Sequence, residues 1–382
     1  MNRLSMNGIL LLLSLLASVT TTRVEALAAA KSVKSKARSA GGAGFGAAKQ
    51  VLTHTPDTSQ TTQALVSFLK TNKAKGLGDV EIGFSPDTGV RGLYCTKNFS
   101  QGKIMCQIPS DCALALSDPS KNGQDAPTLA HGGANFLEMY WNNAQARKLW
   151  APYLDTLPTQ GSAQFDPTPD FFNDDELELL EFPRIIRQAK DRKQEIQTLA
   201  AQKGLDQQEL QFATWLTVSR AFGIAISSAA EETTQYDERG QVITQAGEKK
   251  DLRIMVPFID MANHSSDQPN ARLTLIDPEK DEAWFALEAT RPIAAGKEIV
   301  IAYGSEIESS VELLLNYGFV PNSNKIDEFM LKKGGEECIT NLQGWTTSLE
   351  EDMAMLAMAE DKPILQKILR FRVRLKESYP KE

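Results

Sequence analysis

Hydrophobic and polar residues alternate at several places after the first sixty residues, and this pattern predicts short strands. The strands are expected at residues 80–84, 93–95 and 104–109, with glycine-containing turns between them. A helix is expected just before them, at residues 61–72, because its apolar residues recur at helical spacing. We therefore predict a small antiparallel sheet with a helix against its first strands.

The middle of the chain has a helical pattern instead. Its apolar residues fall three and four positions apart in four segments, which are residues 136–149, 174–180, 183–203 and 206–227. Proline-rich turns separate these segments. A mainly helical insertion, over about residues 114–230, is thus predicted to split the strand-rich part of the chain in two.

Strand patterns return in the last third of the chain. Apolar, strand-like runs at residues 272–276 and 283–287 flank a polar turn, and a further strand is expected at residues 298–303. Together these three segments predict a meander. A short helix is expected to follow it, at residues 309–316.

Two further helices are predicted near the C-terminus. Ser348 and Glu351 have the spacing of a capping box, and Pro363 stands where the second helix would start. These helices would form a short tail over residues 321–382. The predicted fold class is α+β, with small antiparallel sheets split by a helical insertion and with this short helical C-terminal tail.

The first fifty residues have the composition of a targeting sequence. Arg3 precedes an apolar run at residues 9–19 that is too short to span a bilayer, and residues 24–26 suit a cleavage site. Residues 1–26 are therefore predicted to be a signal peptide. Residues 27–50 are rich in Ala, Ser, Gly and Lys and lack acids, which is typical of a transit segment. Such a bipartite presequence predicts a plastid protein, and secretion or an endomembrane lumen is the alternative.

Composition and charge narrow the class of partner. Hydrophobic residues make up 42% of the chain and charged residues 24%, which excludes a fibrous or wholly disordered protein. The net charge is −8, and residues 1–50 hold seven basic residues against one acid, which leaves −14 on residues 51–382. An acidic folded part argues against a nucleic-acid partner and suits a basic protein substrate. We expect a monomer that does not associate with membranes once the presequence is removed.

The cysteines do not have the spacing of a metal site. There are four, Cys95, Cys106, Cys112 and Cys338, with no C-x-x-C pair and no histidine at finger spacing. We therefore predict no metal. Three of them sit in or beside apolar runs, which favours buried free thiols, although pairing in an oxidising lumen is the alternative.

A tyrosine at the end of the last predicted strand is the first candidate for chemistry. Tyr303 follows an apolar run that would place it at the margin of a sheet, and Gly304 would let the backbone approach a ligand closely. The tyrosine hydroxyl could orient a reacting group. A half-buried strand tyrosine that packs against a core is the structural alternative.

Asn263, His264 and Arg220 are candidates for ligand recognition. An asparagine amide offers the donor and acceptor needed to read an adenine edge, but before a Ser-Ser-Asp loop it could equally stabilise a turn. Arg220 lies on an otherwise apolar predicted helix, so it needs a charged partner. That partner would be a ligand carboxylate, which an arginine binds in a bidentate manner, or an internal acid.

Two glycine-containing segments complete the set of candidates. Residues 89–93 hold two glycines, a pattern that suits a cofactor loop or any tight turn. Tyr317 and Gly318 follow the predicted helix, so the glycine could end that helix, could permit close approach to a ligand, or could do both.

Read in order, these motifs resemble the SET-domain protein methyltransferases, and among them the branch that includes the Rubisco large-subunit lysine methyltransferase. The resemblance spans roughly residues 60–320 and is carried by five segments, which are residues 89–93, 218–222, 256–265, 299–304 and 316–319. It implies a SET domain over residues 51–320, with S-adenosylmethionine as cofactor. It also implies methylation of a side-chain nitrogen of a protein substrate, with a lysine of a non-histone protein expected.

The resemblance further implies a role for individual residues. Tyr303 would be the catalytic residue, and Tyr303 and Tyr317 would line the substrate channel. The residues expected to bind the cofactor are Val90, Arg91, Gly92, Arg220, Asp260, Asn263, His264, Tyr317, Gly318 and Phe319. His264 is expected to have no role as a base.

Two departures from the family limit what the resemblance implies. Some relatives have a glutamate near the start of the first cofactor loop, where this chain has Thr88 and Gly89. The family's helical C-terminal substrate-binding domain is abbreviated here, so substrate preference does not carry over. A protein-histidine methyltransferase, or a protein-interaction module that has lost catalysis, therefore stays an alternative.

Overall fold

The structure is a computed structural model, and it describes residues 54–117, 127–227, 234–236, 242–244, 249–278, 283–304, 308–333 and 345–378. The predicted signal peptide, the transit-like segment and Cys338 lie outside the described residues.

The strands of the described residues are β1 (Thr55–Pro56), β2 (Val80–Phe84), β3 (Arg91–Cys95), β4 (Ile104–Pro109), β5 (Leu114–Ala115), β6 (Ala221–Ser227), β7 (Thr234–Tyr236), β8 (Val242–Thr244), β9 (Lys249–Met255), β10 (Asn263–His264), β11 (Ala271–Ile276), β12 (Trp284–Ala289) and β13 (Glu298–Ile301). The α-helices are α1 (Gln60–Thr71), α2 (Leu129–Phe136), α3 (Ala144–Leu154), α4 (Asp174–Leu179), α5 (Pro183–Lys203), α6 (Gln207–Arg220), α7 (Ser310–Tyr317), α8 (Lys325–Lys333), α9 (Leu349–Ala357) and α10 (Pro363–Ser378).

The strands form four small sheets. A five-stranded sheet has the order β1-β2-β3-β13-β10, two three-stranded sheets have the orders β11-β12-β4 and β5-β9-β6, and β7 and β8 form a hairpin. The described pairs are antiparallel except β10 with β13, which is parallel and sets Asn263 opposite Val300 and His264 opposite Ile301. This parallel pair brings two distant candidate motifs side by side.

The predicted strands are confirmed, and so are the antiparallel pairs β2–β3 and β11–β12, but one strand of each predicted sheet has a different partner. Strand β4 does not join β2 and β3, because it pairs with β12, where Ile108 faces Phe285. Strand β13 likewise leaves the predicted meander and pairs with β3, where Ile299 faces Leu93. Local alternation predicts a strand and its buried face, but the partner is decided by long-range packing.

The predicted helical insertion is confirmed, with two corrections to its helices. The helix expected at residues 136–149 is interrupted, because Asn143 caps the start of α3 by accepting hydrogen bonds from the backbone N–H groups of Gln145 and Ala146. The helix expected at residues 206–227 ends at Arg220, and the rest of that segment is strand β6.

Pairing with β9 explains why the chain leaves the helix at Arg220. Seven consecutive residue pairs join the two strands, from Ala221 with Met255 to Ser227 with Lys249. These backbone pairings override the helical spacing of the apolar residues. Arg220 therefore stands at a helix-to-strand junction.

The C-terminal helices pack onto the helical insertion. The predicted capping box of Ser348 and Glu351 and the predicted start at Pro363 are confirmed, whereas α8 was not predicted. Helix α10 shares a buried core with α4, α5 and α7. The tail is also tied by an ion pair between Arg372 and Asp352, whose side chains are 2% and 0% exposed.

The tail also holds the first turn of α7. The carboxylate of Asp327 on α8 accepts hydrogen bonds from the backbone N–H of Ser310, at 2.7 Å, and from its hydroxyl, at 2.6 Å. Arg374 on α10 contacts the same carboxylate. Helix α7 ends at Tyr317, so the tail contributes to the position of that tyrosine.

Three of the cysteines are buried and free, namely Cys95, Cys106 and Cys112. Burial raises the pKa of each thiol to about 12, so each stays protonated near neutral pH.

No helix within the described ranges has the length and apolar character needed to cross a membrane.

Candidate active site

A cavity of about 760 Å³ lies beside the junction of α6 and β6. Arg220, Asp260, Tyr303 and Tyr317 line it, so four of the predicted site residues meet at one place. They come from α6, from the turn before β10, from the end of β13 and from the end of α7. The parallel pairing of β10 with β13 places the turn that carries Asp260 near Tyr303, although the two are more than forty residues apart in sequence.

Tyr303 is held at both ends. Its backbone N–H donates to Nδ1 of His264 at 2.9 Å, and its hydroxyl donates to the backbone oxygen of Ala262 at 2.9 Å. Because its proton is committed to Ala262, the hydroxyl oxygen can present lone pairs to a ligand. Burial raises the pKa of Tyr303 above its ordinary value, so the side chain is a neutral phenol.

His264 positions Tyr303 and cannot act as a base near neutral pH. Its Nδ1 accepts the backbone N–H of Tyr303, so the ring proton lies on Nε2, which contacts the hydroxyl of Ser266 at 2.6 Å. Burial lowers the pKa of His264 to about 4. The imidazole is therefore neutral, with both nitrogens engaged.

His264 should make stability depend on pH in a defined window. Its pKa is about 4 when folded against an ordinary 6.5, so between these values the unfolded chain binds a proton that the folded chain does not. The histidine therefore destabilises the fold as pH falls through this window. The substitution His264→Gln removes the titrating imidazole and the hydrogen bond that it accepts from the backbone N–H of Tyr303. We expect the variant to be less stable than the wild type above pH 6.5 and the difference to shrink towards pH 4.

The measurement is the free energy of unfolding in urea at several values of pH. The matched control is His54→Gln, because His54 is also buried and lies away from the cavity, where it bonds to Glu81 at 2.8 Å. This prediction is wrong if the difference in unfolding free energy between the wild type and His264→Gln stays constant from pH 8 to pH 4.

Tyr303 and Tyr317 belong to an aromatic cluster and form one wall of the cavity. The ring centroids of Tyr303 and Tyr317 are 4.8 Å apart at an interplanar angle of 40°, and Phe319 and His264 pack around them. A methylene chain between two ring faces needs about 7 Å, twice the usual carbon contact distance. The two tyrosines therefore touch and present one continuous surface, and their predicted role in lining a substrate channel stays a prediction.

Gly318 ends helix α7 and fixes the direction of Tyr317. Its φ of +82° is left-handed, and its N–H donates to the backbone oxygen of Leu314 at 3.1 Å. A side chain at this position would collide with the backbone oxygen of Asp166. The sequence left open whether Gly318 ends the helix, allows close approach to a ligand, or does both. The structure shows that it ends the helix, and its contact with a cofactor stays a prediction.

Arg220 has an internal acid as its partner. Its Nη1 lies 3.1 Å from Oδ2 of Asp260, which also accepts a hydrogen bond from the hydroxyl of Tyr153 at 2.8 Å. The side chain of Asp260 is 0% exposed, while that of Arg220 is 17% exposed and lines the cavity. Burial raises the pKa of the Asp260 carboxyl, and Arg220 opposes that rise. The ion pair thus holds the guanidinium at the cavity wall.

The predicted first cofactor loop lies beside the cavity and does not line it. The side chain of Arg91 points to α1, where its Nη2 donates to Thr62 at 2.8 Å and its Nε lies 3.2 Å from Asp57. The side chain of Val90 is exposed, with 51% of the residue accessible. Any cofactor contact from this loop would come from its backbone.

Asn263 joins this loop to β13. Its Nδ2 donates to the backbone oxygen of Arg91 at 3.0 Å and to Oε1 of Glu298 at 2.7 Å. A Cβ at Gly92 would lie 2.6 Å from Oε1 of Glu298 and 2.7 Å from Nδ2 of Asn263, so a larger residue there would displace these two side chains. The amide donors of Asn263 are thus bound within the protein, and its predicted role in reading an adenine edge stays a prediction.

Sequence reasoning missed several residues that line the cavity. Leu129, Arg253, Arg272 and Glu308 are among them. Arg253 enters through the register of β9 and β6, which sets it opposite Gly223. No sequence motif marks these residues. Only the β6–β9 pairing, if recognised, would have indicated Arg253.

In the described part of the chain, no group of three or more His, Cys, Asp or Glu side chains is placed to hold a metal ion.

The fold of this chain is that of a known class of protein domain. The family model of the SET domain matches residues 90–304, which is more than half of the chain, and the chain belongs to the SET-domain family.

Among solved structures, those of Rubisco LSMT have a fold similar to that of this chain. The SET domain of LSMT bound to methyllysine and AdoHcy matches at a TM-score of 0.57 and 14% identity, over 83% of this chain and 89% of that one. Rubisco LSMT bound to AdoMet matches at 0.55 and 14%, with the same coverage. A search of curated protein sequences finds no significant match. The predicted fold class is confirmed.

Proposed function

We propose that this protein is an S-adenosylmethionine-dependent methyltransferase that modifies a lysine side chain of a non-histone protein. The observation that carries the proposal is the placement of Tyr303, whose hydroxyl is oriented by the Ala262 backbone at the wall of a cavity formed by SET-family segments. Solved structures of the same fold hold AdoMet, AdoHcy and methyllysine.

The described residues fit a donor of this kind. A volume of about 760 Å³ lies in the ordinary range for small-molecule sites. Arg220 would pair with the donor's carboxylate, because its guanidinium is held at the cavity wall by Asp260. Phe222 and Leu129 offer apolar surface for the adenosine part. When bound, the donor supplies a methyl group on a positively charged sulfur, open to displacement by an uncharged nitrogen.

The residues of the chain serve mainly to position the reacting groups. Such a displacement needs the nucleophile and the methyl group on one line, so fixed side chains can provide most of the rate enhancement. The hydroxyl oxygen of Tyr303 would accept weak hydrogen bonds from the polarised methyl group or from the amine. The aromatic wall of Tyr303 and Tyr317 would lower the pKa of an incoming ammonium by desolvation and favour the neutral amine. The released proton would pass to solvent.

We propose a SET domain over residues 51–320, with its insertion over about residues 114–230. Residues 321–382 would form an abbreviated substrate-binding tail.

The composition of residues 1–50 supports delivery to a plastid. The charge of −14 on residues 51–382 supports a protein substrate over a nucleic acid. A monomer is proposed, and microscopy of a presequence fusion would test the compartment.

The test is transfer of a labelled methyl group to a protein. The full chain would be incubated with methyl-labelled AdoMet and a plastid protein extract, and the labelled residue would be identified by mass spectrometry. We expect a methylated lysine. A methylated histidine would favour the histidine enzyme. Absence of both label and AdoMet binding at millimolar concentration would favour an interaction module.

A further inference from the structure

The last turn of α7 places an amide side chain at the cavity, beside the tyrosine wall. Asn316 is half-buried and lines the cavity next to Tyr317. Its Oδ1 accepts a hydrogen bond from Nη2 of Arg192 on α5, at 2.9 Å. A guanidinium group has donors only, so the amide oxygen must face Arg192 and the amide NH2 group must face away from it. The amide of Asn316 therefore has one defined orientation.

Arg192 is itself held in place, so this orientation is fixed. Its Nη1 donates to the backbone oxygen of Leu315, at 2.9 Å, and lies 3.3 Å from Oδ1 of Asp170. The side chains of Arg192 and Asp170 are 10% and 2% exposed. A buried arginine that has both an acid and a helix carbonyl as partners is restrained by each of them. Arg192 thus anchors the end of α7 and the Asn316 amide together.

The NH2 group of Asn316 is the part of the amide that is available to a ligand. Among the described residues it has no hydrogen-bond partner, and it is not shut off from solvent. An amide N–H is a neutral donor, and the peptide carbonyl is a neutral acceptor that every residue of a protein substrate offers. Because the proposed reaction takes place at Tyr303, the backbone of the acceptor would lie towards Tyr317, the neighbour of Asn316.

We propose that Asn316 binds the acceptor polypeptide by donating an amide N–H to a backbone carbonyl beside the residue that is methylated. This inference rests on the proposed function, which it deepens by naming a residue that recognises the peptide backbone of the acceptor. Arg192 is a positioning residue for this contact. The effect of Asn316 should fall on the affinity for the acceptor and not on the affinity for the donor.

The test compares two probes, of which only one has peptide carbonyls. The full chain, saturated with AdoHcy, would be titrated by calorimetry with Nα-acetyl-lysine N-methylamide and with n-butylamine. We expect the wild type to bind the lysine derivative at least about fivefold more tightly, as one hydrogen bond from a neutral donor gives. In Asn316→Asp this ratio of affinities should fall by about fivefold, because a carboxylate keeps the contact with Arg192 but has no N–H to donate.

The ratio is used because any effect of the added charge on the amine acts on both probes. The variant Asn316→Ala, which adds no charge, should lower the ratio to the same extent. AdoHcy affinity should stay unchanged in both variants, which also shows that they fold.

The matched control is Asn143→Asp, which makes the same chemical change at an exposed residue that does not line the cavity. There the side chain only accepts hydrogen bonds, from the backbone N–H groups of Gln145 and Ala146, so the ratio should stay as in the wild type. If AdoHcy binds but the wild type shows no preference, the inference is wrong while the proposed function stands. The same holds if both Asn316 variants keep the ratio, or if they lose AdoHcy affinity instead. If AdoHcy does not bind to the wild type, the proposed function itself is wrong.

Discussion

Replacing Tyr303 by phenylalanine should lower the turnover number by about 100-fold while AdoMet affinity stays within about twofold, because only the orientation of the reacting groups is lost. The phenyl ring would keep its contacts with Tyr317 and His264, and the backbone N–H would still donate to His264. What disappears is one oxygen, which is fixed by Ala262 at the cavity wall. The measurement is the initial rate of methyl transfer at saturating donor, with donor affinity measured separately.

The chain offers a closely matched control. Tyr140 is also buried and also donates its hydroxyl to a backbone oxygen, that of Ala115, at 2.8 Å, but it does not line the cavity. Tyr140→Phe should therefore lose a similar hydrogen bond and keep its turnover. Unchanged turnover in Tyr303→Phe would remove Tyr303 from the mechanism, and an equal loss in both variants would indicate a general structural effect.

Replacing Arg220 by leucine should weaken both the fold and the binding of the donor. Loss of the guanidinium leaves the carboxylate of Asp260, 0% exposed, with the hydroxyl of Tyr153 as its remaining hydrogen-bond partner among the described residues. Leaving a buried charge unpaired costs about 3 kcal/mol of unfolding free energy. The donor's carboxylate would lose a charged partner as well, so AdoMet affinity should fall by about tenfold or more. Urea denaturation and calorimetry measure the two effects.

A double variant separates these two effects. Arg220→Leu combined with Asp260→Asn removes both charges and keeps an acceptor for Tyr153. Its unfolding free energy should recover relative to Arg220→Leu alone, because no unpaired buried charge is left. AdoMet affinity should stay low, because the arginine is still absent. Recovery of AdoMet affinity in the double variant would show that Arg220 acts only through stability and does not contact the donor.

Local sequence signals predicted the elements that depend on local physics. The capping box of Ser348 and Glu351 satisfies backbone groups within one turn, so its residues alone indicate the helix start. The strands at Val80–Phe84 and Ile104–Pro109 were predicted because alternation reflects one buried face. The resemblance in turn placed four residues that do line one cavity, Arg220, Asp260, Tyr303 and Tyr317.

What the sequence did not predict depends on contacts between distant segments. Nothing near residue 104 shows that β4 pairs with β12, and the helical spacing beyond Arg220 gave no sign of the pairing with β9. The Arg91 side chain does not point into the cavity because it contacts Asp57 and Thr62, more than twenty-five residues away in sequence.

A sulfonium donor is proposed to bind in the cavity bounded by Arg220, Tyr303 and Tyr317. Ultraviolet crosslinking of methyl-labelled AdoMet to the full chain, followed by peptide mapping, tests this most directly. We expect label in peptides that contain residues 217–223 or 302–319, and excess unlabelled AdoHcy should abolish it. Label confined to other parts of the chain, or no AdoHcy-sensitive label at a saturating concentration, would contradict the account.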